Sequence, residues 1–139
     1  MLFRSAGTLC ECAVALKLEL FQHTGSFKVR GAFNALLSSD LGEAGVVAFS
    51  GGNHGAAIAY AATRLGVPST IFAPDRAGPV KIERMRAFGA PVIVPKDETA
   101  IIIAKFMGHA ARSGALAVHP FADSLVVCGP GTGRAGIGR

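Results

Sequence analysis

Val47-Ala48-Phe49-Ser50-Gly51-Gly52-Asn53-His54-Gly55 joins a compact apolar segment, two adjacent glycines and the start of a small-residue run within nine positions. Val46–Phe49 reads as a buried strand and Ser50 to Gly52 as a turn. Residues 54–65 read as a helix, stopped by Gly66-Val67-Pro68. A strand that enters a helix through a short glycine turn is the building unit of a parallel sheet covered by helices. The alternation continues outward in both directions. Downstream, 69–73 is the next strand, and Pro79 suits the first turn of a helix that ends at Phe88-Gly89. A strand at 91–94 follows, then a helix over 97–112 capped by Asp97 or Thr99, a strand at Leu116–Val118 and a strand-like stretch at 125–128. Upstream, 18–21 reads as a short strand, and Thr24-Gly25-Ser26 opens a helix that runs to about Leu37. The fold class is therefore α/β, with a parallel sheet between helices.

The chain has 139 residues, half of them apolar, which is enough to bury a core and argues against disorder. Lys17 and Lys105 interrupt the longest apolar stretches well short of the ~20 residues a membrane span needs. Residues 1–6 lack the pattern of a secretory signal, so a cytoplasmic protein with no membrane partner is expected. Cys10, Cys12 and Cys128 are too few and too oddly spaced for a disulfide framework or a zinc site, and are read as free thiols. The net charge is +5, but the basic residues are scattered from Arg4 to Arg139. Only Lys81, Arg84 and Arg86 sit close together, with Glu83 among them. A nucleic-acid footprint requires clustered basic residues interleaved with aromatics, so no nucleic-acid partner is expected. His109 reads as a helix-surface residue and His119 as a loop-packing residue. Neither has a second ligand at metal spacing, so no metal is expected. Tyr60 and Met85 read as core.

Ligands of such sheets bind beyond the carboxyl ends of strands, where loops enter helices. Two of these loops carry chemistry. In Gln22-His23-Thr24-Gly25-Ser26-Phe27-Lys28-Val29-Arg30-Gly31-Ala32, Lys28 stands near a helix start, where the positive end of the helix dipole favours the neutral amine. Only a neutral amine attacks an aldehyde to form a Schiff base. In the 50–55 loop, backbone N–H groups form a nest for a carboxylate, the glycines allow close approach, and Asn53 adds a donor.

Together, about 22 residues apart, these loops resemble the fold-type II (tryptophan-synthase β-like) family of pyridoxal-phosphate (PLP) enzymes, and within it the threonine/serine dehydratases. The family pattern T-G-S-F-K-x-R-G-A is matched by Thr24 through Ala32, and S-x-G-N-H-[AG] by Ser50 through Gly55. Gly66-Val67-Pro68, Lys81, Arg84 and Phe88-Gly89-Ala90 follow the family's next course. The stretches from Val118 to Asp123 and from Gly129 to Thr132 resemble its H-P-F-D…G-Q-G-T segment. The resemblance implies PLP as cofactor, held by Lys28, which also moves the Cα proton. It implies packing of Phe27 beside the ring and a hydrogen bond from Asn53 to the ring oxygen. Ser50, Gly51, Gly52, Asn53 and His54 would take the carboxylate of a small amino-acid substrate. The implied reaction is dehydration and deamination of L-threonine or L-serine to a 2-oxo acid and ammonia. Racemases of the family carry a second serine where Gly51 stands, and threonine synthases an acid where Val29 stands.

The resemblance also implies a division into a partial large domain (1–45), a small α/β domain (46–120) and a return segment (121–139), with a homo-oligomer as the family's full-length state. Gly51 and Gly52 are the only adjacent glycines, so the family's phosphate-binding glycine run has no counterpart. The chain is expected to be a fragment with weak or no turnover alone, and a folded non-catalytic remnant is the alternative. Gly131-Thr132-Gly133-Arg134-Ala135-Gly136 also spells a dinucleotide-type G-x-G-x-x-G. That motif needs a strand before it, a helix after it, and an acid some 20 residues further on.

Overall fold

The computed structural model describes residues 16–133. Cys10 and Cys12, residues 1–6 and the tail from Arg134 lie outside them. Within the described residues helices and strands alternate: α1 Lys28–Leu37, β1 Val46–Phe49, α2 Asn53–Leu65, β2 Ser69–Phe72, α3 Pro79–Ala87, β3 Val92–Ile93, α4 Thr99–Ser113, β4 Leu116–Val118 and α5 Ser124–Gly131. The strands form one parallel sheet in the order β3-β2-β1-β4. Val46 sits opposite both Ser69 of β2 and Leu116 of β4. No described helix is long and apolar enough to cross a membrane.

Side chains alternate across the pleat, and this alternation divides the core into two layers. Val46, Ala48, Ile71 and Val118 face α1, α2 and α3, while Val47 and Phe72 face Ile102 and Phe106 of α4. Helices thus cover both faces of the sheet. On the first face α2 lies close to the strands because its inner surface is alanine: Ala57, Ala59, Ala61 and Ala62 have no exposed surface. Gly66, left-handed at φ 71°, ends that helix.

Several local expectations are corrected. Residues 18–21 form no strand. Glu19–Phe21 is a 3-10 turn, closed by Phe21 N–H on the Leu18 carbonyl and fixed by a two-point pairing of Glu19 with Arg30 at 2.9 and 3.1 Å. With its backbone groups satisfied locally, a short apolar run needs no ladder. The first long helix begins at Lys28, not at Thr24. His23–Gly25 is a 3-10 turn in which Thr24 is left-handed (φ 62°, ψ 14°), and Ser26 is extended. The helix over Thr99–Ser113 has no side-chain cap, because Asp97 pairs with Lys105 and the Thr99 hydroxyl accepts from Arg76.

The largest correction concerns 125–128, which is helical. Asp123 accepts from the N–H groups of Leu125 and Val126 at 2.9 and 3.3 Å, capping α5. The strand that a dinucleotide motif would need is therefore absent ahead of Gly131. Helix α5 crosses α1 at two glycines. A Cβ on Gly31 would overlap the Val126 carbonyl, and one on Gly129 would lie 2.5 Å from the Arg30 carbonyl oxygen. Asn34 adds a side-chain donor to the Leu125 carbonyl at 2.7 Å.

The crossing yields a direct test. Gly31→Ala is expected to cost about 2 kcal/mol through overpacking, read as a lowered urea midpoint. Ala32→Gly beside it, which leaves the crossing clear, is expected to cost about 1 kcal/mol through helix propensity.

Candidate active site

Strand order reverses where β4 lies beside β1. From β1 the chain builds outward through β2 to β3, then returns to the opposite side of β1. Loops leaving the carboxyl ends of such neighbours leave a crevice between them. The structure has a cavity of about 350 Å³ at that point. Phe49, the last residue of β1, and Ser50, Gly51, Asn53 and His54 beyond it form one wall. His119, Pro120 and Phe121, after β4, form the other, and Lys28 and Ile103 complete the lining.

Lys28 is the first residue of α1, and its half-buried side chain lies between two aromatic rings. Its Nζ is 5.0 Å from the centre of Phe27 and 4.7 Å from that of Phe121. Phe27 does not line the cavity. It is turned toward a second, apolar hollow with Lys17, Glu19 and Pro130.

The glycine turn is more selective than its sequence indicates. The Ser50 N–H is bound to the Phe72 carbonyl at 2.9 Å, and the Gly52 N–H to the Ser50 hydroxyl at 3.2 Å. Gly52 lies off the cavity lining. The N–H groups of Gly51, Asn53 and His54 have no acceptor among the described hydrogen bonds. Asn53 and His54 open α2, where unpaired amides and the helix dipole favour an anion. Gly51 has little room for a side chain, since a Cβ would stand 3.3 Å from both Ala77 and Pro74.

His54 is buried, and neither ring nitrogen has a hydrogen-bond partner of good geometry. Burial lowers its pKa to about 4. The Val118 backbone and Asp123 oppose that shift, while Lys28 and His119 add to it. His54 lines the cavity, while both of its ring nitrogens are buried.

His119, read from sequence as a packing residue, faces the cavity. Its Nδ1 accepts from the N–H groups of Phe121 and Ala122 at 3.2 and 3.0 Å, so the neutral ring carries its proton on Nε2. Phe121 and Ile103 are further lining residues that the sequence did not single out. Only the adjacency of β1 and β4 brings 119–121 to 50–54.

His54 generates a pH prediction. Its folded pKa lies below that of the unfolded chain, so the unfolded state takes up the proton first as pH falls. The contribution of the buried neutral ring is complete above about pH 6.5 and is lost progressively toward pH 4. It amounts to roughly 3 kcal/mol for a fall from 6.5 to about 4. Urea midpoints between pH 7.5 and 4.5 should show this slope in the parent and a much shallower one in His54→Gln.

Comparison with known proteins assigns the chain to a family. The family model described as pyridoxal-phosphate dependent enzyme matches residues 2–136. The L-threonine ammonia-lyase of Geobacter sulfurreducens is 41% identical over 122 residues, covering 86% of this chain and 30% of that protein. The catabolic L-threonine dehydratase TdcB of Staphylococcus aureus is 39% identical over 124 residues, covering 86% and 35%. Among solved structures, the threonine deaminase of T.th. superposes with a TM-score of 0.86 at 34% identity, over 96% of this chain and 42% of that one. Maize serine racemase superposes with a TM-score of 0.89 at 31% identity, over 96% and 41%. The chain spans about a third of the length of the curated relatives it matches. Matched along nearly its whole length, the chain belongs to the pyridoxal-phosphate dependent enzyme family.

Proposed function

We propose that the chain carries the amine and carboxylate-binding parts of a PLP-dependent lyase site that converts L-threonine or L-serine to a 2-oxo acid and ammonia. One observation carries this reading: the Lys28 amine and the free amides at the start of α2 line the same cavity. The residues fit the cofactor's aldehyde and ring. Lys28 offers the primary amine and Asn53 an amide side chain at the cavity wall.

When bound through its aldehyde, PLP supplies an electron sink for negative charge developing at the substrate Cα. With PLP in the cavity, Lys28 would be the residue that holds it, and its Nζ would be the base that accepts the α-proton. The N–H groups of Gly51, Asn53 and His54 hold the substrate carboxylate at the positive end of α2 and orient the Cα–H bond toward that amine. His54 remains neutral, so its ring adds no positive charge beside the carboxylate site.

Racemisation is the competing chemistry, and the likeness to serine racemases keeps it in view. It needs a proton donor on the opposite face of the substrate. Gly51, at the position where the racemase pattern has its second serine, offers none, and Pro74 and Ala77 crowd the space a side chain would need. The names of the curated relatives also favour the lyase. The division into a partial large domain (1–45), a small α/β domain (46–120) and a return segment (121–139) belongs to the same reading, and the packing of α1 on α5, which flank 46–120, supports it.

The test is the visible absorbance of the purified chain after addition of PLP. A Schiff-base band that survives dialysis and disappears in Lys28→Ala is the expected result. A band of equal strength in the variant, or none in the parent, would sink the reading and leave a folded chain without the cofactor chemistry. Where the band is present, serine and threonine are expected to give weak or no release of 2-oxo acid from this chain alone, and no D-enantiomer by chiral chromatography.

A further inference from the structure

The turn that delivers Lys28 contains Thr24, the one non-glycine residue with positive φ among the described residues, followed by Gly25 at φ 60°. A β-branched residue in the left-handed region is strained, and it persists only where its surroundings hold it there. Within its own turn a single backbone bond, from the Gly25 N–H to the Gln22 carbonyl at 2.8 Å, supplies part of that hold. The Thr24 and Ser26 hydroxyls are both buried without a hydrogen-bond partner. The rest comes from α3, 60 residues along the chain, where Arg84 Nη2 donates to the Thr24 carbonyl at 2.6 Å. The guanidinium is itself steadied over the ring of Phe88, 5.8 Å from its centre. Phe88 meets Tyr60 edge-on at 5.6 Å, and Tyr60 stacks on His23, the residue before Thr24, at 5.1 Å. The turn is thus gripped at two consecutive residues by one continuous surface of α2 and α3. Gly25 leaves room for this grip, because a Cβ there would stand 3.1 Å from Arg84 Nη2.

We propose that Arg84 is a positioning residue for Lys28. It touches neither the cavity nor the amine. It holds the left-handed Thr24–Gly25 turn, which sets where α1 starts and therefore where the Lys28 amine enters the cavity. The proposal rests on Lys28 being the reactive amine of this site, and it concerns the bare chain, so it can be read without cofactor.

The experiment is competitive acetylation of the purified chain with acetic anhydride at low conversion. The rate at Lys28 is compared with that at the exposed Lys96 by peptide mass spectrometry. In the parent, the half-buried Lys28 reacts slowly relative to Lys96. Arg84→Gln is expected to raise the Lys28 ratio about threefold or more, the scale of losing one charge-assisted hydrogen bond partly open to water. Arg84→Lys, which keeps a charged donor, should stay near the parent ratio. Thr24→Gly added to Arg84→Gln should restore the parent ratio, because glycine adopts the turn unaided. A change confined to Lys28 and reversed in this way is not what a general loosening produces, since that accelerates every lysine and lowers the thermal midpoint. If Arg84→Gln alone does not fold, the Thr24→Gly pair with and without Arg84→Gln gives the same comparison. An unchanged Lys28 ratio in folded Arg84→Gln, or an equal rise in Arg84→Lys, overturns the proposal. Absence of a Lys28-dependent PLP band in the parent defeats the cofactor reading instead and leaves the acetylation result to decide on Arg84.

Discussion

Strand β1 is hydrogen-bonded to a parallel neighbour along both edges, so the chain that follows it can only rise out of the sheet into α2. That double pairing places the N-terminal amides of α2 directly above the sheet's end. It also brings the end of β4 alongside them, because β4 shares β1 as its partner. The cavity is the space that two adjacent parallel strands leave when one has turned toward the outer strands and the other has returned from them. Lys28 reaches this space from a different direction, on a helix packed against α2 and α5.

The walls of the site are rigid because the helices carrying them sit unusually close to their supports. Helix α2 presents alanine to the sheet, and Gly55 passes so near Met85 and Ile71 that any side chain would collide with them. Helix α1 is held from its other side by α5 through the Gly31–Gly129 contact. Small residues therefore do more here than relax the backbone. They set the distances between layers, and those distances determine where the amine and the amides stand. The polar cost of this arrangement falls on His54, which is forced to be neutral and left without a partner in the cavity wall.

Strand β1, the glycine turn, α2, the proline-led start of α3 and strand β4 could be read directly from the chain, because each combines an apolar period with a local stop signal. The roles expected for Lys28, Asn53 and the 50–54 turn came from the resemblance of the two loops to a family, and the structure brings Lys28, Ser50, Gly51, Asn53 and His54 to one cavity. Residues 18–21 and 125–128 could not. Each is a short apolar run that suits a strand or a helix equally, and each was decided by a polar contact: Arg30 with Glu19 in one case, Asp123 with two backbone N–H groups in the other. His119 and Phe121 were invisible as site residues because their place depends on strand order, which no local pattern encodes. The division of labour among the turn amides was equally hidden, since Ser50 N–H is occupied by Phe72, a residue on another strand.

The glycine crossing of α1 and α5 also bears on how this fold can vary in length. It ties residue 31 to residue 129, so everything between them forms one closed excursion with its ends fixed. The entropy of closing such an excursion grows only with the logarithm of its length, about 0.6 kcal/mol for each doubling. Extra residues in the exposed connections around 38–44 or 95–98 would therefore weaken the closure very little. A single methyl group at the crossing would weaken it far more, so the fold tolerates long insertions at its rim and almost nothing at its clasp.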